Sequence, residues 1–382
     1  MKILILKDVP GEIIAKKMTY NIQEIGLAIA LRKKGHCADI LCCSDDDTCH
    51  EQQVSLEGQQ LTIFSAKAIK KFRNGFPLNV DCILAKYDVL HVCEYNEIYT
   101  WHLAKKYSNK MICYHGPYYN SFNKNYNRMA KVFDIFFLPR YRKLNTQFIT
   151  KSELAAEYLK SKGLKNVEAI GVGLNTSFLS QLDSEKNPDV EQIKKAAGLR
   201  LLYIGTIEPR RNTLFILDLM NELKKRGIAH TLILIGKYKD DEYERVFKKK
   251  VQEFDLQSQI MYVSRVEQKY LNQVYRYADV FLLPTIYDIY GMVLLEAMYF
   301  GVPTLTTVNG GSNMMIKNGE NGFVFDDFNV SRWCDCIETL YNNPQDAKRI
   351  GQKGRETINS SFTWDVLADK FILAYERKLK SV

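Results

Sequence analysis

Apolar and polar positions along this chain alternate between two periods. "MKILIL" opens it as a continuous apolar run, the pattern of a strand covered on both faces. Residues 22–36, "IQEIGLAIALRKKGH", place Ile22, Ile25, Ala28, Ile29 and Leu31 at helical spacing and close on Gly35. "CADILCC" reads as the next strand, and further strands are expected at 88–94, 111–116, 147–150 and 167–173. Ser152 stands where an N-cap would start the helix "SELAAEYLKSKG". The chain then turns polar over 176–199, around Pro188, which reads as a linker. Alternation restarts beyond it with the strands "RLLYIG", "TLILIG", "IMYVS" and "DVFLLP" and helical segments between them. This order predicts an α/β protein of two Rossmann-like domains, at 1–180 and 198–360. Open parallel sheets take ligands at the carboxyl ends of their strands, so two such sheets facing each other are expected to form an interdomain cleft.

A length of 382 residues supports the two-domain reading, since a single core of that size is unusual. Apolar residues at 46% and charged residues at 25% describe a globular chain, with no apolar run near the ~20 residues of a membrane span. The opening turns polar at "KDVPGE", too soon for a signal peptide, and the chain is expected in the cytoplasm. Nine scattered cysteines, including Cys42-Cys43 and Cys334-x-Cys336, lack C-x-x-C spacing, and the six histidines form no H-x-x-x-H pair. Buried reduced thiols and no metal site are the expectation.

The net charge of +9 is unevenly placed, with 14 Lys/Arg against 5 Asp/Glu in residues 61–145. Lys67, Lys70, Lys71, Arg73, Lys124, Arg128, Arg140, Arg142 and Lys143 stand among Phe72, Tyr126, Phe133, Phe136, Phe137 and Tyr141. A solvated face, a nucleic-acid surface and a patch resting on anionic lipid all fit that composition. No recognition motif accompanies it, which disfavours nucleic acid. No G-x-G-x-x-G opens either domain, which disfavours a dehydrogenase.

Candidate chemistry centres on "PTIYDIYGMVLLEAMYFGVPT", residues 284–304. Glu296 stands alone among apolar neighbours, and a buried carboxylate requires a cation, backbone donors or ligand hydroxyls such as those of a ribose. The helix start at Tyr290, Gly291, Met292 and Val293 is a ready anion site, with Gly291 allowing close approach to the backbone. Asp288 lies in the loop before it, placed to reach the group attached beyond the phosphates. Arg210 and Arg211 come after the strand that ends at Gly205, where a diphosphate would sit. Gly236 and the segment of Arg265 and Val266 end two further strands and would line a nucleotide base. His115, at a strand end before Gly116, fits either a functional or a core histidine.

The stretch 279–325 resembles the signature of retaining glycosyltransferases of family 4 with the GT-B fold, two acids flanking seven residues with "EAM…G.P" after them. The acids here are Asp288 and Glu296, with aspartate where the family usually has glutamate. "YIGTIEPRRN" is similar to the family's phosphate-binding loop and places Arg211 where its lysine usually stands. "YHGPY" looks like the first-domain His-Gly, and "FTWDVLADKFILAYERKL" is similar to the closing helix, which in that fold crosses back to the first domain, here at 363–382. Thr206, Met314 and the Leu174-Asn175 pair depart from the pattern, and a first-loop glycine pair is reduced to Gly11.

The resemblance implies transfer of a sugar from a nucleoside diphosphate sugar to a hydroxyl, without metal or cofactor and with retention. Arg211 would stabilise the diphosphate, Glu296 hold the ribose, Asp288 meet the sugar hydroxyls, and His115 contact the sugar or support acceptor attack. The acidic run 45–47 is set aside as far from the donor motifs. A glycan or lipid-linked acceptor is expected, in surface polysaccharide or glycolipid assembly at the inner face of the plasma membrane. A nucleotide-sugar epimerase of the same fold and a non-catalytic partner subunit remain alternatives. The sequence does not choose among UDP, GDP and dTDP donors.

Overall fold

The structure is a computed structural model and describes residues 1–10, 22–44, 49–71, 74–180 and 187–381. Gly11, the acidic run 45–47, Phe72 and Arg73 lie outside the described residues. The chain divides into two units, Met1–Asn175 joined by Phe362–Val382, and Thr176–Ser361.

The first unit is built on a nine-stranded sheet of β1 (Lys2–Pro10), β2 (Cys37–Ser44), β3 (His50–Leu56), β4 (Gln59–Lys71), β5 (Asn74–Pro77), β6 (Val89–Cys93), β7 (Met111–His115), β8 (Gln147–Thr150) and β9 (Val167–Ala169). Their spatial order is β3-β4-β2-β1-β6-β7-β8-β9, with β5 paired to β4. Ile3, Leu4 and Ile5 of β1 are fully buried, as a central parallel strand covered by helices requires. β3 and β5 run antiparallel to β4 at the edge, and Val54 is the one buried residue of β3.

Helix α1 (Gln23–Lys33) comes after β1 and ends before Gly35, whose φ of 82° suits a left-handed close. Helix α2 (Lys124–Tyr141) packs Ala130, Phe133, Leu138 and Tyr141 inward. Phe133 and Tyr141, counted in the sequence among the aromatics of a basic surface, are therefore core residues. The opposite face of α2 exposes Met129, Val132, Ile135 and Phe136, the last two by more than 60%, beside exposed Lys124, Arg128, Lys131 and Arg140. Helix α3 (Glu153–Ser161) is capped by the Ser152 hydroxyl, which accepts from the Ala155 N–H at 3.1 Å.

The C-terminal helix Trp364–Lys380 completes this first unit. Its Trp364 indole fills the space left by Gly26 of α1 and Gly173, where an added Cβ would lie within 2.5 Å of the ring. Lys34 pairs with Asp369 at 2.8 Å, and Tyr375 meets His91 of β6 at 2.8 Å.

The second unit holds a six-stranded sheet of β10 (Leu199–Ile204), β11 (His230–Ile235), β12 (Ile260–Val263), β13 (Val280–Leu283), β14 (Thr304–Thr307) and β15 (Phe323–Phe325). All neighbours are parallel, in the order β12-β11-β10-β13-β14-β15. That is Rossmann order, reversing direction between β10 and β13; in the first unit β4-β2-β1-β6-β7-β8 repeats it and reverses between β1 and β6. The stretch 176–199 is more than a linker. It carries the short helices Thr176–Ser180 and Pro188–Ile193, and Val190 and Ile193 of the second are fully buried.

Candidate functional site

In the second unit the sequence-predicted residues gather at the reversal between β10 and β13. Gly205 ends β10 with φ 150°, and the chain then makes a single turn at Pro209–Arg211 closed by left-handed Asn212. This loop is laced to the one after β13. The Ile286 N–H donates to the Arg210 carbonyl at 2.9 Å, and the Arg210 guanidinium donates to the Tyr287 carbonyl at 3.0 Å. Arg210 also holds Glu208 at 2.6 Å, so its side chain is committed to shaping the loop. Arg211 is differently placed. One arm of its guanidinium donates to the Asp288 carboxylate, while its buried Nε has no acceptor among the described residues.

Asp288 is thus bound to Arg211, a pairing the sequence did not suggest, and its other oxygen accepts from the Tyr290 N–H at 3.4 Å. Gly291 takes a φ of 82° and starts helix α5 (Met292–Tyr299), which no side chain caps. The N–H groups of its first turn, at Met292 and Val293, therefore keep the partial positive charge of a helix start. Gly310 and Gly311 bring the loop after β14 against this turn. A Cβ on Gly310 would fall 1.8 Å from the Ile289 carbonyl oxygen, and one on Gly311 would fall 2.1 Å from that of Tyr290. Asn309, fully buried, accepts from the N–H groups of Gly311 and Ser312 at 3.1 and 3.2 Å and fixes the loop.

Glu296 lies one turn into α5 and is 2% exposed. Helix α4 (Gln268–Arg276) supplies a partner, the Tyr275 hydroxyl, which donates to Glu296 Oε2 at 2.8 Å. The carboxylate therefore has a donor from the protein, where the sequence had looked first to ligand hydroxyls. Gly236 also has a structural reason, since a Cβ there would stand 1.9 Å from the Gly205 carbonyl oxygen. Arg265 is exposed just past β12, and Val266 is buried.

In the first unit His115 ends β7, fully buried. Its Nδ1 lies 2.7 Å from Glu94 Oε2, and the Tyr95 ring meets it edge-on at 4.9 Å. A salt bridge stands at the same end of the sheet, Lys7 Nζ with Glu24 at 2.6 Å. Burial works against both carboxylates, but their neighbours outweigh it: Lys7 and then Lys151 hold Glu24 below the usual carboxylate range, and the His115 contact and then Lys151 hold Glu94 below it. Sequence reasoning missed Glu94, Lys7 and Lys151. For Glu94 and Lys151 the signal was position, since each directly follows the carboxyl end of a parallel strand; Lys7 lies within β1.

Two Rossmann-ordered sheets, the second wholly and the first mainly parallel, with the C-terminal helix returned to the first, define a protein of the GT-B class. The whole chain superposes on sucrose-phosphate synthase from Thermosynechococcus elongatus with a TM-score of 0.72 at 17% identity, each chain covered completely. Anabaena HepE in complex with UDP gives 0.71 at 14% identity, again over all of both chains. Residues 183–357 match Glycosyl transferases group 1 and residues 25–178 match Glycosyltransferase Family 4, and the chain belongs to the glycosyl transferases group 1 family. Among curated proteins, the sucrose synthase of Nitrosomonas europaea is 27% identical over 200 residues, 48% of this chain and 23% of its own length. The alignment thus spans less than a quarter of that relative.

Proposed function

We propose that the chain transfers a sugar from a nucleoside diphosphate sugar to a hydroxyl acceptor, with retention at the anomeric carbon and without metal or cofactor. The observation that carries this reading is Arg211, whose buried Nε has no acceptor among the described residues and whose other arm is held by a carboxylate. Asp288 stands in for an anion there. A diphosphate arriving beside the uncapped start of α5 would take over the guanidinium and release Asp288 toward the sugar hydroxyls. Glu296, aligned by Tyr275, would take the ribose. Departure of the diphosphate is the demanding step, and a fixed guanidinium with oriented N–H groups stabilises the charge it gains. The acceptor oxygen forms its bond to the anomeric carbon on the face the diphosphate leaves, and its proton passes to the departing phosphate oxygen. His115 is assigned to the sugar or the acceptor hydroxyl.

UDP is the first donor to test, because HepE, which shares the fold, has been solved with UDP and with UDP-glucose. UDP-, GDP- and dTDP-sugars would be compared by thermal shift and by slow hydrolysis in the presence of EDTA. One nucleotide should raise the melting temperature by a few degrees, and its sugar should be hydrolysed. A chain that none of the three stabilises refutes the reading. A lipid-linked acceptor is the choice suggested by the outer face of α2, whose apolar stripe edged by lysine and arginine suits the surface of an anionic leaflet.

A further inference from the structure

Glu94 carries a structural oddity and a short contact together. It is the residue after β6, and its φ of 53° lies in the left-handed region that side chains other than glycine and asparagine rarely adopt. Such backbone strain tends to be kept where the side chain has work to do. Here it lays the carboxylate beside the end of the next strand. The Glu94 N–H donates to the Tyr114 carbonyl at 3.2 Å, Glu94 Oε2 accepts from the Gly116 N–H at 3.4 Å, and the same oxygen stands 2.7 Å from His115 Nδ1.

The ring has little freedom. Tyr95 meets it edge-on at 4.9 Å, Tyr158 lies 20° from parallel at 6.1 Å, and the His115 carbonyl is held by the Lys151 N–H at 2.8 Å. Glu94 Oε2 sits off the line of an Nδ1–H bond, so the contact is a close polar approach and not a hydrogen bond of good geometry. With Glu94 ionised, the distance fixes the proton. An ionised oxygen 2.7 Å from a bare ring nitrogen would set two lone pairs against each other, so Nδ1 must carry hydrogen. In the neutral ring Nε2 is then an acceptor, and it is buried without a hydrogen-bond partner among the described residues.

We propose that Glu94 is a positioning residue, whose carboxylate keeps the proton on His115 Nδ1 and so presents Nε2 as the lone pair that accepts from a hydroxyl of the bound sugar or acceptor. The ligand in this statement rests on the transferase reading; the tautomer does not. Burial opposes the Glu94 charge, while the His115 Nδ1 contact, the Lys151 charge and the Gly116 N–H favour it, the ionised state that the arrangement requires. The chemistry is that of a histidine oriented through one nitrogen so that the other can act.

The test uses the full chain labelled with 15N-histidine, without donor. Six histidines give few ring signals, and His115→Asn identifies the one to monitor. The wild type should show Nδ1 protonated and Nε2 bare, and Glu94→Gln should convert this to a mixture of tautomers at an unchanged melting temperature. Glu94→Asn, which tolerates the left-handed backbone but withdraws the oxygen, should do the same and guards against misfolding of the first variant. With the nucleotide sugar that the wild type hydrolyses, both variants should lower kcat by about 10²-fold and leave the donor KM within a few-fold. A wild-type ring protonated on Nε2, or a tautomer unmoved by both substitutions, overturns the proposal. If the tautomer responds and no nucleotide sugar is turned over, the positioning stands and the transferase reading falls.

Discussion

In the proposed donor site, Arg211, Asp288, Glu296 and Tyr275 are the residues whose contacts would decide what the second unit holds. Arg211 and Glu296 were legible in the sequence because each breaks a local rule, a cation pair at a strand end and a charge inside an apolar helix. Tyr275 was not, because a tyrosine on an amphipathic helix packs its ring whatever its hydroxyl does; only the fold brings that hydroxyl 2.8 Å from Glu296. The two roles separate by measurement. Glu296→Gln should weaken UDP binding tenfold or more, about the 1.5–3 kcal/mol of a hydrogen bond to a charged group. Tyr275→Phe removes only an orienting donor and should cost less UDP affinity, together with a degree or more of melting temperature. Arg211→Ala should lower turnover by about 10²-fold, since its partner charge develops in the transition state. Calorimetry and initial rates give these values; UDP binding unchanged in Glu296→Gln would remove the ribose assignment.

Among the elements, the strands buried on both faces were the easiest to read, because a parallel strand covered by helices shows as an unbroken apolar run. β1, β2, β10, β11 and β13 are of this kind. β3 and β5 were invisible for the opposite reason: paired antiparallel at an edge, with Val54 the buried residue of β3, they carry almost no hydrophobic signal. Helix α2 shows a different limit. The sequence located its charges but could not say that Phe133 and Tyr141 turn inward while Val132, Ile135 and Phe136 turn outward, because a helix apolar on two faces has no single periodic stripe. The outward face is where the membrane expectation can be tested. Each lysine or arginine near an anionic surface contributes ~1 kcal/mol, and the inserted side chains add their transfer energy. The wild type should float with vesicles containing anionic lipid, bind weakly to neutral ones, and lose binding as salt shortens the Debye length. Ile135→Glu with Phe136→Glu should abolish flotation while leaving donor hydrolysis intact. Wild type that ignores anionic vesicles at low salt would leave this face to solvent or to a protein partner.

At the scale of the whole molecule, the end of the chain stabilises its beginning. The helix Trp364–Lys380 buries Trp364, Phe371 and Tyr375 against the first unit, so the last residues belong to the core formed by the first. The resemblance read from the closing helix foresaw this return; His91, which anchors it, gave no sign in "DVLHVCE". Its Nδ1 shares a hydrogen bond with the Tyr375 hydroxyl at 2.8 Å, and burial pushes the imidazole from its ordinary 6.5 down to about 3. The sign of the consequence is fixed by linkage. Between those two values the unfolded chain takes up a proton that the folded chain refuses, so stability is full above pH 6.5, falls as the pH is lowered, and levels off near pH 3. Glu24 and Glu94, held below the usual carboxylate range, lose their contribution in the same direction, but only as the pH passes below about 4.5. The interval from pH 6.5 to 5 therefore separates the histidines from the carboxylates; burial lowers His36 and His230 as well, and the His91 share of the loss should approach ~2 kcal/mol at 1.36 kcal/mol per pH unit. Urea midpoints measured at pH 8, 7, 6 and 5 would test it. The wild type should weaken across that interval, and the pair His91→Phe with Tyr375→Phe, which removes the His91 ring without stranding the hydroxyl, should lose the His91 share of the slope and keep only what His36 and His230 contribute. Equal slopes in the two proteins would place the acid sensitivity elsewhere and leave the His91–Tyr375 contact a neutral packing detail.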